Sequence, residues 1–276
     1  MLLQSVHMMQ KNSYSMKVFE LESPEIGDKF VVRVSLPASY EMMPDRRYPV
    51  LVVLDGDAAL GAATTTMDYI NLGSNFGMGK NVPDMIVVGI GYERGAISWL
   101  FTRVRDFTPT EDPAFNYNNP HFQIPASGGA KKFHTFLVDS ILPAVAANFR
   151  VDDALTVLAG HSMGGLFALY AMLQPNPAFH KYILISPFVG WDKRAIFGLE
   201  ADYAAHNSAL KADVFFSYCA AEPTPFYVAE VKDIANAMIQ RQYAGFRCAV
   251  WDYPEENHFS VIAKAFADGL FALFEG

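Results

Sequence analysis

The sequence has 276 residues, of which 51% are hydrophobic, and it carries a formal net charge of −8 at neutral pH. A chain of this length suits one large domain with a sizeable core. Its acidic charge disfavours a nucleic-acid or an anionic-membrane partner, because phosphate surfaces would repel it.

The first patterned segment of the chain alternates apolar and polar residues. Met16–Glu22 and Lys29–Leu36 show this period of two on either side of the turn sequence Pro24–Asp28. Such a pattern predicts an antiparallel hairpin with one solvated face.

Short apolar runs with little alternation follow the hairpin, and they favour strands buried on both faces. In chain order these runs are Tyr48–Gly56, Asp84–Tyr92, Ala154–Gly160, Tyr182–Pro187, Asp213–Cys219 and Cys248–Tyr253. Helical patterns fall between most of them, at Ala59–Leu72, Lys131–Asn148, Ser162–Leu173, Tyr227–Tyr243 and Val261–Phe274. Alternating strands and helices predict an α/β fold with a mostly parallel, doubly wound sheet, to which the hairpin adds an antiparallel edge.

Two stretches interrupt this alternation. Glu93–Gly129 is long, rich in aromatic residues and contains four prolines, so we expect a lid-like loop. A loop of this length is usually functional, and a surface excursion packed over the sheet is the alternative. Residues 191–211 lie between two strands and predict a small helical cap.

Targeting and cysteine signals are weak. No apolar run approaches the roughly 20 residues that cross a bilayer. The apolar start of the chain is too short for a signal peptide. The two cysteines, Cys219 and Cys248, form neither a disulfide framework nor a metal-ligand spacing. We therefore expect a cytoplasmic protein, a single domain over residues 1–276, that handles a small molecule.

The segment Gly160–Gly164, with the sequence GHSMG, matches the nucleophile-elbow pattern G-x-S-x-G. An apolar strand ends at Ala159, and a helical pattern begins at Leu166. The nucleophile needs this strand–turn–helix setting, because a sharp, strained turn exposes the serine oxygen. The pattern predicts Ser162 as a catalytic nucleophile.

A serine hydroxyl needs a base that takes its proton, and the chain order in this kind of site is serine, acid, histidine. Three histidines follow Ser162 in the sequence, namely His180, His206 and His258. His258 comes after the last predicted strand, and we expect it at the carboxyl edge of the sheet, where ligands bind. His180 precedes a strand and should lie at the opposite edge, whereas His206 falls in the predicted cap. His258 is therefore the predicted base.

The acid of the triad should follow the penultimate strand, where Glu222 stands. A carboxylate there would fix the tautomer of the imidazole and stabilise the imidazolium that forms. Glu230 and Asp233, on the next helix, are competitors for this role.

An oxyanion hole needs two backbone N–H groups, one after the nucleophile and one from the loop after an earlier strand. Met163 supplies the first, and the Gly56–Asp57 region is the predicted source of the second. Asp-Gly also favours a hairpin turn, but the alanine-rich segment that follows has a helical pattern.

Several strings of the sequence together resemble a known family. They are YPVLVVLDG, VVGIGY, RVRDFTP (Arg103–Pro109), AGHSMGGLFALYAML and ENH before the final helix. Their combination resembles the α/β-hydrolase family that holds esterase D and the enterochelin-type siderophore esterases. The resemblance spans roughly Met16–Phe274, and it implies an α/β-hydrolase fold with Ser162 and His258 as catalytic residues.

The resemblance does not fix the substrate. We take as candidate substrate-binding residues Trp99, Phe101, Arg103, Arg105 and His161. The two arginines would attract an anionic substrate such as a ferric catecholate. In the alternative, an ion pair of the Arg105–Asp106 type anchors the long loop.

The function predicted from these residues is hydrolysis of a small-molecule carboxylic ester through an acyl-enzyme. An acyltransferase that uses the same acyl-enzyme is the nearest alternative, and a non-catalytic binding protein on the same fold is a second one. We expect no cofactor and no metal, because the sequence contains no P-loop, no dinucleotide fingerprint and no pair of metal-ligand histidines. The oligomeric state stays open.

Overall fold

The computed structural model of the protein describes residues 5–11, 14–78, 82–92, 98–113, 115, 126–175, 177–220 and 228–274. The strands in this part of the chain are β1 (Ser5–Lys11), β2 (Tyr14–Ser23), β3 (Asp28–Ser35), β4 (Tyr48–Val53), β5 (Ile86–Gly91), β6 (Val151–His161), β7 (Lys181–Ile185), β8 (Ala209–Tyr218) and β9 (Ala244–Asp252). They form one sheet in the order β1-β2-β3-β5-β4-β6-β7-β8-β9.

The sheet is parallel from β4 to β9 and antiparallel at one end. The pairs of β1 with β2, β2 with β3 and β3 with β5 are antiparallel, and the remaining pairs are parallel. Both β4 and β5 are buried along their whole length, which explains why their sequences do not alternate. The predicted sheet with its antiparallel hairpin is confirmed. The sequence patterns did not predict β1, which adds a third antiparallel strand at the edge.

Helices lie on both faces of the sheet. In chain order they are α1 (Ser39–Met42), α2 (Gly56–Asn75), α3 (Ser98–Phe107), α4 (Ala130–Phe136), α5 (Leu142–Asn148), α6 (Met163–Met172), α7 (Trp191–His206), α8 (Val228–Arg241) and α9 (Val261–Phe274), and a π-helical turn (Leu137–Ile141) joins α4 to α5.

Two hydrophobic cores separate these helices into layers. On one face, α2 and α9 pack together over strand residues such as Leu51 and Phe215. On the other face, Phe107 of α3, Phe133 of α4 and Phe167 of α6 lie within ring-contact distance of one another. The result is an α/β/α sandwich. The carboxyl ends of its parallel strands lie together at one edge of the sheet, where ligands bind in folds of this kind.

Two predictions about irregular segments need correction. Residues 98–107 of the predicted loop 93–129 form α3, in which Val104 and Phe107 are buried. The sequence pattern did not predict this helix, because its buried face includes the charged residues Arg103 and Asp106 and therefore shows no clear apolar period. Residues 93–97, 114 and 116–125 lie outside the described residues. The predicted cap 191–211 is α7 followed by the start of β8, and Trp191 and Ile196 belong to the main core.

Within the described ranges, no helix is both long and apolar enough to cross a membrane. Cys219 and Cys248 are not joined by a disulfide bond.

Candidate active site

Ser162 occupies a strained turn between β6 and α6. Its backbone angles are φ 57° and ψ −116°, a positive-φ conformation that is costly for a residue with a side chain. Backbone hydrogen bonds hold it there: its N–H donates to the carbonyl of Ile185 at 2.9 Å, and its own carbonyl accepts from the N–H groups of Phe188 at 2.9 Å and Leu166 at 3.0 Å. The strand–turn–helix arrangement that the sequence predicts is therefore present.

Gly160 makes this sharp turn sterically feasible. A Cβ atom on Gly160 would lie 2.3 Å from the carbonyl oxygen of Gly164, which is backbone and cannot rotate away. Only glycine lets the end of β6 and the start of α6 approach so closely.

His258 lies between the carboxyl end of β9 and the first turn of α9. The preceding Asn257 caps this helix, because its Oδ1 accepts from the N–H groups of Phe259 at 2.9 Å and Ser260 at 3.1 Å. The ring of His258 lies 4.5 Å from the ring of His161, measured between centroids. Since His161 precedes Ser162, the fold brings the predicted base to the nucleophile elbow.

The other two histidines after the serine lie elsewhere. His180 directly precedes β7, and its backbone N–H donates to the carbonyl of Thr156. It therefore lies at the amino ends of the parallel strands, away from Ser162. His206 ends α7, and its side chain is exposed and bonded to the carbonyl of Asp202.

The predicted oxyanion hole lies where two helices begin. The N–H of Leu54 donates to Ala159 at 3.0 Å, so the end of β4 runs beside the end of β6. Gly56 opens α2 and Met163 opens α6. The first N–H groups of a helix point out of its N-terminal end. The two predicted oxyanion-hole segments therefore start the helices that follow two neighbouring strands, β4 and β6.

Asp57, the other predicted residue of this hole, uses its side chain for structure. Its carboxylate accepts from the N–H of Tyr92 at 2.6 Å and from Arg33 at 2.8 Å. Only the backbone of Asp57 is therefore a candidate for binding an oxyanion.

Arg103 and Asp55 form a buried, two-pronged ion pair beside the elbow. The guanidinium donates to the two carboxylate oxygens at 2.7 and 2.8 Å, and its Nη2 also donates to the carbonyl of His161 at 2.8 Å. Arg103 is 4% exposed and Asp55 is 5% exposed. Burial raises the pKa of Asp55, and the charge of Arg103 counteracts this. The structure thus places the predicted substrate-binding Arg103 in an internal network.

Arg105 forms the ion pair that the sequence offered as an alternative. It donates to Asp106 at 2.7 and 2.8 Å and to Asp28 at 2.9 Å. Because Asp28 begins β3, these contacts fasten α3 to the start of that strand. The predicted aromatic residues Trp99 and Phe101 lie on the same helix and are half-buried.

His161 is partly buried, and its Nε2 hydrogen-bonds to the backbone carbonyl of His258 at 2.7 Å. A carbonyl can only accept, so this nitrogen carries the proton. Burial lowers the pKa of His161 well below its usual value, and the neighbouring His258 and Arg103 charges lower it further. The side chain is therefore a neutral donor at physiological pH.

The predicted acid Glu222 lies outside the described residues. Of its competitors on α8, Asp233 accepts from Arg194 at 2.9 Å. Burial raises the pKa of Glu230, and the positive charge of Arg194 lowers it in part. The acid of the triad stays a prediction.

A small apolar cavity of about 20 Å³ lies behind the strand ends, between α2 and α9. Its walls include Leu54, Ala59, Gly160, His161 and Phe266. Among the described residues, no group of three or more His, Cys, Asp or Glu side chains is arranged to hold a metal ion.

A serine held in a strained strand–helix elbow, with a histidine after the last strand of a mostly parallel sheet, defines an α/β-hydrolase. The family model described as "Putative esterase" matches residues 23–216, which is more than half of the chain. The chain therefore belongs to this esterase family, and it is an ester hydrolase.

Curated relatives and solved structures agree with this membership. The chain is 27% identical to the ferri-bacillibactin esterase BesA of Bacillus subtilis, over 79% of this chain and 76% of that protein. It is 29% identical to the siderophore triacetylfusarinine C esterase of Aspergillus fumigatus, over 93% of this chain and 92% of that protein. The crystal structure of the BES protein from Bacillus cereus superimposes with a TM-score of 0.83 at 26% identity, over 98% of this chain and 99% of that one.

Proposed function

We propose that this ester hydrolase is a serine enzyme that works through an acyl-enzyme on Ser162. The observation that carries the proposal is the strained elbow at Ser162, together with the His258 ring beside the preceding His161. Strained backbone positions cluster at active sites, where the strain helps to place a reacting group.

The proposed reaction has two halves. Ser162 Oγ attacks the ester carbonyl while His258 takes the hydroxyl proton, and the N–H groups of Met163 and of the Gly56–Asp57 region stabilise the oxyanion. His258 then gives the proton to the leaving alkoxide, and the alcohol departs. In the second half, water attacks the acyl-enzyme with His258 again as the base, which releases the carboxylic acid and restores Ser162.

The protonated imidazole of this cycle needs a partner. We keep Glu222 as the proposed acid, because it comes four residues after β8 in the sequence, and the carboxyl ends of β8 and β9 lie side by side. Glu230, Asp233 or a dyad without a carboxylate remain its alternatives.

For the substrate we propose a siderophore-type ester. The support comes from the relatives, which are named for ferri-bacillibactin, for triacetylfusarinine C and, in Escherichia coli, for apo-salmochelin. On this chain, Phe259 is 72% exposed beside His258, and Trp99 and Phe101 are half-buried on α3. These aromatic side chains are the proposed contacts for the substrate. Cytoplasmic location stays a prediction.

Replacing Ser162 with Ala should lower kcat on the order of 10⁶-fold, because loss of one member of a catalytic unit removes nearly all of its contribution. The matched control is Ser186→Ala, at the end of the neighbouring strand β7, whose hydroxyl lies 3.8 Å from the thiol of buried Cys219. The control should retain activity within a few-fold. A fluorophosphonate probe should label Ser162 in the wild type, as mapped by mass spectrometry. A Ser162→Ala variant that kept several per cent of the activity would refute the mechanism.

The substrate proposal is tested with a series of p-nitrophenyl esters of graded chain length and a catecholate trilactone, with and without ferric iron. The trilactone should give the higher kcat/KM. A preference for simple alkyl esters would reject the siderophore class but leave the serine mechanism intact. Product analysis with added alcohols separates hydrolysis from acyl transfer.

A further inference from the structure

We infer that His161 is a positioning residue, whose imidazole N–H holds the backbone of His258 and so sets where the His258 ring stands beside Ser162. The inference rests on the proposed function, in which His258 is the base.

The first argument is the contact itself. His161 Nε2 and the His258 carbonyl oxygen are 2.7 Å apart, although the residues are 97 positions apart in the sequence. The bond joins the nucleophile elbow directly to the loop that carries the base. A base must stand within hydrogen-bond reach of the proton it takes, so the position of this loop bears on the rate.

The second argument is that His161 is itself held. It ends β6, where it pairs with Ile185 of β7. Its carbonyl accepts from Arg103 at 2.8 Å, and Asp55 fixes that guanidinium through two bonds. A donor mounted on the sheet in this way can hold a loop, whereas a donor on a loop would move with it.

The third argument concerns charge and shape. His161 is neutral, because burial and the nearby His258 and Arg103 lower its pKa. It therefore adds no positive charge beside a base that must become cationic. Its ring also packs 4.5 Å from that of His258, at 49° between the planes. A side chain that replaces it must fill the same space.

The test compares three variants of His161 in the full chain. Phe keeps the ring but removes the donor. Gln places an amide N–H near the position of Nε2, whereas Asn is one bond shorter and does not reach His258. We expect His161→Phe and His161→Asn to lower kcat by roughly 10- to 100-fold, as a misplaced catalytic group does. KM for the same ester should stay within about threefold, and Gln should recover most of kcat.

A second readout is the rate at which a fluorophosphonate inactivates the enzyme. In that reaction Ser162 Oγ bonds to phosphorus, the P–F bond breaks, fluoride leaves and His258 takes the serine proton. The inactivation rate should fall in parallel with kcat in the Phe and Asn variants. The matched control is His134→Phe, at a partly buried histidine of α4 that contacts Phe167 and Tyr170, and it should not change either rate.

Three outcomes would overturn the inference. His161→Phe with a normal kcat removes the positioning role. A loss that appears only in KM makes His161 a substrate contact. Equal losses in Gln and Asn that follow the melting temperature indicate packing alone. Failure of the proposed function gives a different result, because the wild type would then not be labelled at Ser162 and Ser162→Ala would stay active.

Discussion

At the scale of single residues, the Arg103–Asp55 pair places two charges in the interior beside the site. Both side chains are almost fully buried, so each charge has lost most of its hydration. The two bonds between them and the further bond to His161 offset that cost. Asp55 also stands at the start of α2 with φ 55° and ψ 41°, a left-handed conformation. The pair therefore fixes the segment that leads into the predicted oxyanion hole.

Replacing Arg103 with Met should lower the free energy of unfolding by about 3–5 kcal/mol, because Asp55 stays buried without its partner charge. The double variant Arg103→Met/Asp55→Asn leaves no buried charge, and asparagine tolerates the left-handed conformation. It should regain at least half of the loss, as measured by urea denaturation. A double variant no more stable than the single one would show that the loss comes from packing of the Arg103 side chain.

At the scale of secondary-structure elements, the elbow depends on how closely β6 and α6 approach. Replacing Gly160 with Ala places a Cβ atom 2.3 Å from the Gly164 carbonyl oxygen, so strand and helix must separate. Such overpacking typically costs about 1–3 kcal/mol of stability. We expect this loss in the free energy of unfolding together with a loss of at least tenfold in kcat, because the turn that aims Ser162 is displaced.

The matched control for this change is Gly198→Ala, in the helix α7. A Cβ atom at Gly198 meets no atom of the described residues within 4 Å. Alanine lowers the conformational entropy of the unfolded chain and suits a helix, so this variant should be stabilised by about 0.5–1 kcal/mol with unchanged kcat. Similar effects of both alanines on kcat would contradict the steric explanation for Gly160.

At the scale of the whole molecule, buried histidines make stability depend on pH. Burial lowers the pKa of His134, as it does for His161. Below the unfolded pKa of about 6.5, the unfolded chain binds protons that the folded chain does not. The contribution of these neutral histidines to the free energy of unfolding is therefore fully present above this pH. It is lost as the pH drops towards the pKa values of the folded state.

The variant His134→Phe isolates one of these contributions. Within the described part of the chain, the buried Nε2 of His134 has no hydrogen-bond partner, so phenylalanine removes an unsatisfied polar atom. Its melting temperature at pH 7.5 should match or exceed that of the wild type. Between pH 7.5 and pH 5.5 the wild type should lose more degrees than the variant. If the melting temperatures of the two proteins fell in parallel with pH, His134 would bind its proton as well in the folded state as in the unfolded state, which would contradict this explanation.

The sequence predicted those features of the site that depend on residues close together in the chain. Gly160–Gly164 lies between an apolar strand and a helical pattern, so the strand–elbow–helix at Ser162 follows from neighbouring residues. His258 follows from its place after the last strand, because parallel strands bring their carboxyl ends to one edge. Period and spacing of neighbouring residues also predicted the doubly wound sheet.

The tertiary structure decided the contacts between residues far apart in the chain. The helix α3 carries the buried Arg103 and the half-buried Arg105. Asp55, on another element, makes the burial of Arg103 possible, whereas Arg105 pairs with Asp28 of β3 and with Asp106 of α3 itself. The bond from His161 to His258 likewise has no sequence signal, since it joins the ends of β6 and the loop after β9. Buried charges and long-range hydrogen bonds depend on which strands the sheet places side by side. The sequence by itself therefore determined the fold class and the places of Ser162 and His258 in it, and the tertiary structure decided which contacts hold them there; their catalytic roles stay predictions.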